Sequence, residues 1–139
     1  MQNKLAFLLI PPIGYIGLWI LGSVLFLIYF QIFGISMDLE YTAMIQRIPV
    51  LLSILTVPLC SFLSFFVTGK MVFKRLVPSI SSTTVVQVGI TSLIFTILFD
   101  LLITVAIEKI DILAFPVNLM YLLAWVVIIP AIFLAYRPK

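Results

Sequence analysis

Asp100 stands inside the apolar run SLIFTILFDLLITV, residues 92–105, and three hydroxyl residues keep a fixed distance from it and from one another: Ser92, Thr96 and Thr104. On a helix of about 100° per residue, steps of four advance slowly, so the four side chains share an arc of about 120°. Two chemistries fit such a stripe. A carboxyl group in apolar surroundings can exchange a proton or hold a cation, which is the default expectation for an intramembrane acid. It can also be a silent polar contact that joins helices. An ionised carboxylate in a bilayer costs about 2–3 kcal/mol even on lenient insertion scales, so a bound proton or a hydrogen-bonding partner is required.

The sequence restricts that partner. No Lys, Arg or His lies in the apolar runs, so one chain holds no intramembrane counter-ion for Asp100. The hydroxyls and amides on offer are Gln31, Ser53, Thr56, Ser61, Ser64, Asn118 and Tyr121. Asp100 is seven residues before Ile107, about 10 Å from the outer end of its helix at about 1.5 Å per residue. Asn118 and Tyr121 reach a similar depth on an antiparallel neighbour, which makes them the expected partners. Arg47 or Lys109 snorkelling inward is a second route.

A second polar series, Ser53, Thr56, Cys60, Ser61 and Ser64, continues to Thr68 and falls within about 140° of one helical face. Small polar residues let membrane helices approach closely, with interhelical hydrogen bonds of about 0.6 kcal/mol on average. A packing seam against the helix of Asp100 is the expectation; a hydrophilic pore between the two stripes is the sharper alternative.

The remaining inventory excludes more than it offers. The chain has a single cysteine and no histidine. An intrachain disulfide, a Cys-x-x-Cys redox pair, His-based metal or haem ligation and Ser-His or Cys-His catalysis are all ruled out. Cys60 then reads as a small buried apolar residue. The TGK at 68–70 lacks the upstream glycine and the strand of a phosphate-binding loop. No enzyme, no cofactor and no metal are expected.

The elements that must position these residues follow from composition. Of the 139 residues, 64% are hydrophobic and 9% charged, against about 25% charged in a soluble domain. Lipid must cover what so small a core cannot. The runs are continuous, without the alternation of barrel strands, so helices cross the bilayer. Four stretches supply the roughly 20 apolar residues that a span needs: about 12–33, 48–67, 85–107 and 113–134. The expected fold is an all-α, four-transmembrane-helix bundle with short loops, residues 1–139 forming one membrane domain.

Prolines set the expected limits. Pro12 can open the first span, leaving residues 5–10 interfacial or attached through a kink; the apolar run is too long for a cleaved signal, so it is retained. Pro116 marks the start of the fourth span, while Pro58 and Pro130 fall inside runs and should bend or open their helices. The halves 1–69 and 70–139 show no convincing repeat.

Orientation follows from the cations. Lys4, Lys70, Lys74, Arg75, Arg137 and Lys139 fall on one side, and only Arg47 and Lys109 on the other. Both termini are therefore expected in the cytoplasm, in the plasma membrane. The basic linker after the second span suggests a turn or two of surface helix, with Lys70, Lys74 and Arg75 meeting anionic lipid head groups. There is no basic stripe of the kind that nucleic acid requires. The functional expectation is a small multi-pass membrane protein acting through helix–helix interaction, as an accessory or assembly subunit beside a membrane-protein partner or as a homo-oligomer. The rival is an oligomeric proton- or ion-coupled small transporter or channel, with Asp100 as its coupling carboxylate.

Overall fold

The computed structural model describes residues 2–136, and its regular structure there is entirely helical. Arg137 and Lys139, counted above in the charge bias, lie outside the described residues. In chain order the helices are α1 (Gln2–Ile32), α2 (Tyr41–Gln46), α3 (Val50–Arg75), α4 (Ser82–Phe99), α5 (Val117–Val126) and α6 (Ile128–Ala135). α4 runs straight on into a π-helix, Asp100–Ile107. Four of these units are long and apolar enough to cross a membrane: α1, α3, α4 with its π extension, and the broken pair α5–α6. They are the first to fourth spans below.

The first span begins before its two prolines, not at Pro12. Pro11 and Pro12 both lie inside α1, and the preceding turn is anchored because Ala6 and Ile10 are fully buried. They pack with Phe65, Val72, Ile128 and Ile132 in the largest apolar cluster. Membrane helices tolerate proline where neighbouring helices support the opened turn, and here burial supplies that support. Pro58 is likewise accommodated within a continuous α3.

The second span is longer than its apolar run. α3 continues from Val67 to Arg75, with Thr68, Gly69, Val72 and Phe73 buried while Lys70, Met71, Lys74 and Arg75 stay exposed. The amphipathic segment expected at the surface is thus the last two turns of this helix. Pro116 does precede the fourth span, as its N-cap. Pro130 has no N–H for the carbonyl of Val126, and the helix is interrupted at Val127, one residue later.

The spans form a ring in the order first, second, fourth, third. The first packs on the second and third, and the fourth packs on the same two. Consecutive spans two and three are therefore diagonal and barely touch. Helices pack about 8–10 Å apart, so the diagonal is about 11–14 Å. Residues 76–81 join these spans and can reach about 20 Å when extended.

Close approach of the first and second spans depends on two glycines. A Cβ added at Gly14 would overlap the Phe65 ring, and one at Gly17 would overlap the Ser64 hydroxyl. Lys4, Lys70, Lys74 and Arg75 share one end of the bundle, hereafter the basic end. Asp38, Glu40, Glu108 and Asp111 share the other, the acidic end, where α2 folds back. Gln46 Nε2 donates to the Phe115 carbonyl at 3.1 Å, and the Asp111 N–H donates to Thr42 Oγ1 at 3.1 Å. These bonds hold Tyr41 over the bundle interior.

Candidate functional site

Asp100 opens the π-helix, where the backbone shifts from four-residue to five-residue bonding; the Glu108 N–H, for example, donates to the Ile103 carbonyl at 3.0 Å. Such segments are uncommon and are frequent at functional positions. The carboxyl is 1% exposed. Its Oδ1 accepts from the Tyr15 hydroxyl at 2.9 Å, and its Oδ2 accepts from Trp125 Nε1 at 2.6 Å. The acid is thus clamped between the first and fourth spans by two neutral donors.

Geometry explains the choice. Trp125 is eight residues from the start of α5, about 12 Å, and Asp100 is seven residues, along the π-helix, from the same end of the third span. Tyr15 comes from the first span, which runs parallel to the third beside it. An indole N–H can only donate and seeks an acceptor when buried.

The expected partners differ from these. Asn118 is exposed and uses its own Oδ1 to accept the Leu119 N–H at 2.8 Å, away from Asp100. Tyr121 instead shares with Asp100 the wall of a cavity of about 40 Å³, together with Leu18, Trp19, Gly22, Ser23, Phe26, Tyr41 and Val57. That volume exceeds the roughly 10–15 Å³ needed for one water. Gly22 faces open space, since an added Cβ would meet nothing within 4 Å. The rest of the stripe is fully buried, and the hydroxyls of Ser92, Thr96 and Thr104 have no hydrogen-bond partner. All four side chains of the stripe therefore face protein, not lipid.

The second polar series is buried throughout, but its neighbours are not the expected ones. Ser61 donates to the Ala124 carbonyl at 2.8 Å on the fourth span, and Ser64 to the Gly14 carbonyl at 2.7 Å on the first. Ser53 donates to the Ile45 carbonyl at 3.4 Å. Thr56 donates to its own Leu52 carbonyl at 2.6 Å, with the Tyr29 hydroxyl 3.2 Å away. Because the third span is diagonal to the second, the seam joins the second span to the first and fourth and does not meet the Asp100 stripe. Cys60 is buried beside Tyr15 and Leu18, as its size suggests.

At the basic end, Lys70, Lys74 and Arg75 are exposed. Lys70 Nζ sits 5.6 Å from the Phe66 ring centroid, and Arg75 borders a cleft of about 290 Å³ with Leu9, Ile13, Thr68 and Val72. At the acidic end Glu108 and Tyr41 lie close. Burial and then the charge of Glu108 push the Tyr41 phenol up, and desolvation pushes the Glu108 carboxyl above its ordinary range. Among the described residues, no three His, Cys, Asp or Glu side chains converge as a metal site.

By residue type Tyr15 and Trp125 read as membrane-interface anchors, and the structure makes them the partners of Asp100 instead. A usable signal existed: Trp125 follows Tyr121 by four positions, on the same helical face and one turn deeper.

These features define a class: an all-helical protein with four helices compatible with membrane integration, closed around one buried acid. The chain matches no family model, no curated protein and no solved structure.

Proposed function

We propose that the chain is a small multi-pass protein of the plasma membrane, with both termini cytoplasmic, that works through helix–helix contact as an accessory or assembly subunit or as a homo-oligomer. The observation that carries this reading is the double clamp on Asp100: Tyr15 and Trp125 satisfy both carboxylate oxygens within one chain. The acid then serves to hold the first, third and fourth spans together. The outward faces, with Leu8, Ile16, Ile20, Leu55, Leu59, Ile94 and Leu98 exposed, are left for lipid or another membrane helix. The basic end carries Lys4, Lys70, Lys74 and Arg75, which supports a cytoplasmic assignment and contact with anionic head groups.

One observation favours a second reading, a proton- or ion-coupled transporter or channel with Asp100 as coupling group. The cavity touching Asp100 is roomy enough for water, and three buried hydroxyls on its stripe are unpartnered. Leaving such groups unsatisfied costs about 1–3 kcal/mol each, a cost that a shift of the third span or an entering polar partner would relieve.

Asp100→Asn separates the two. Wild type and variant are compared for oligomeric state in nanodiscs and for proton release on titration in unbuffered solution. The first reading expects identical proton counts near neutral pH and a native-sized assembly. A neutral-range proton that disappears in the variant, with assembly intact, overturns it in favour of coupling.

A further inference from the structure

A large cleft runs along the outside of the bundle between the parallel first and third spans. It has a volume of about 440 Å³, within the range of about 300–1,000 Å³ usual for small-molecule sites. Its walls combine Pro12, Ile16, Ile20 and Ile103 with an aromatic cluster: Phe95 and Phe99 stack at 4.3 Å, Tyr15 is tilted 5.7 Å from Phe99, and Trp19 meets Tyr15 edge-on at 6.4 Å. One charged residue borders it, Glu108, at the acidic end. Glu108 and Trp19 also border a second cleft of about 300 Å³, on the side of Tyr41 and Met44. The carboxylate is therefore flanked on both sides by apolar, aromatic-lined space.

We propose that this cleft binds lipophilic organic cations, such as ammonium or phosphonium ions carrying aromatic or alkyl groups. The apolar body would lie against Phe95, Phe99 and Trp19, gaining the burial that drives entry. The positive centre would be held by the Glu108 carboxylate and by Trp19, which borders both clefts with it. A cation over an aromatic ring is attracted by the ring's quadrupole, most strongly where water is excluded. Neutral lipid chains share the first part of this chemistry but not the second, and anions are repelled by Glu108. The bilayer concentrates amphiphiles at this depth, so entry is lateral. Tyr15 links the cleft to the interior, since its ring forms the wall and its hydroxyl holds Asp100.

The test is equilibrium dialysis of tetraphenylphosphonium against the protein in nanodiscs of zwitterionic lipid, with tetraphenylborate as the ion of like shape and opposite charge. Expected is saturable binding of the cation above that of empty discs, weakened about tenfold or more in Glu108→Gln and in Trp19→Leu and retained in Glu108→Asp. The borate should show no saturable component. Circular dichroism and gel filtration verify that each variant is folded, and Glu108→Gln, at an exposed position, decides the matter if Trp19→Leu fails that check. Uptake no greater than by empty discs, equal saturable binding of both ions, or undiminished cation binding in Glu108→Gln overturns the proposal.

Discussion

Replacing Asp100 by Leu should cost far more stability than replacing it by Asn, and the geometry says why. An asparagine places Oδ1 and Nδ2 where the two carboxylate oxygens stand. The Trp125 indole can only donate, so the amide oxygen must face it. The amide NH₂ then faces Tyr15, whose hydroxyl can accept as well as donate. Both contacts survive, one with its direction reversed, and a loss of about 1 kcal/mol is expected because the Tyr15 O–H must turn to another acceptor. Leucine has similar bulk but no acceptor. It strands the Tyr15 O–H and the Trp125 N–H, each an unsatisfied group worth about 1–3 kcal/mol, so about 2–4 kcal/mol is expected after partial relaxation. Adding Tyr15→Phe and Trp125→Phe to the leucine variant removes the stranded donors and should recover at least half of that loss. Equilibrium unfolding in mixed micelles with increasing sodium dodecyl sulfate, followed by circular dichroism, measures all four proteins. Equal stability of the Asn and Leu variants, or no recovery in the triple variant, would refute the clamp.

Three further outcomes are expected. Gly14→Ala and Gly17→Ala should each destabilise by about 1–3 kcal/mol in the same assay through overpacking, whereas Gly22→Ala, which enters open space, should be neutral or stabilising by up to about 1 kcal/mol. A cysteine at Lys74 in a Cys60→Ala background should react with an impermeant maleimide only after cells are opened, and labelling of intact cells would reverse the proposed orientation. Glu108 carries a carboxyl raised by desolvation above its ordinary value of 4.5, so its neutral form is favoured by folding. Its contribution to stability is fully present below that ordinary value and is lost as pH rises through the higher folded value. Glu108→Gln should therefore flatten that part of the stability–pH curve, and an unchanged curve would contradict the desolvation.

The sequence made some of this legible and hid the rest for definite reasons. Apolar length gave four spans, and the four-residue spacing of Ser92, Thr96, Asp100 and Thr104 gave a buried face. Periodicity says which face is covered but not by what. Small polar residues predict a seam from Ser53 to Ser64 against the third span, yet the fourth and first spans cover it. Asp100 was paired by depth with Asn118 and Tyr121. Trp125 lies one turn deeper and Tyr15 on a parallel helix, and both resemble the aromatic anchors common at membrane surfaces. The π-helix at Asp100 left no trace in residue type, and the turn before Pro11 is helical because Ala6 and Ile10 are buried, which is a tertiary cause.

The diagonal link between the second and third spans makes the two ends of the bundle unlike. Crossing beneath the ring, residues 76–81 carry Val77 and Ile80 into the core, 1% and 5% exposed, beside Phe73, Val85 and Ala135. The link is thus a stopper at the basic end. Apolar packing separates Asp100 from the basic end, while the cavity that Asp100 borders is walled by Tyr41 and Tyr121. The interior is therefore lopsided, closed by apolar packing at the basic end and hollow beside the carboxyl.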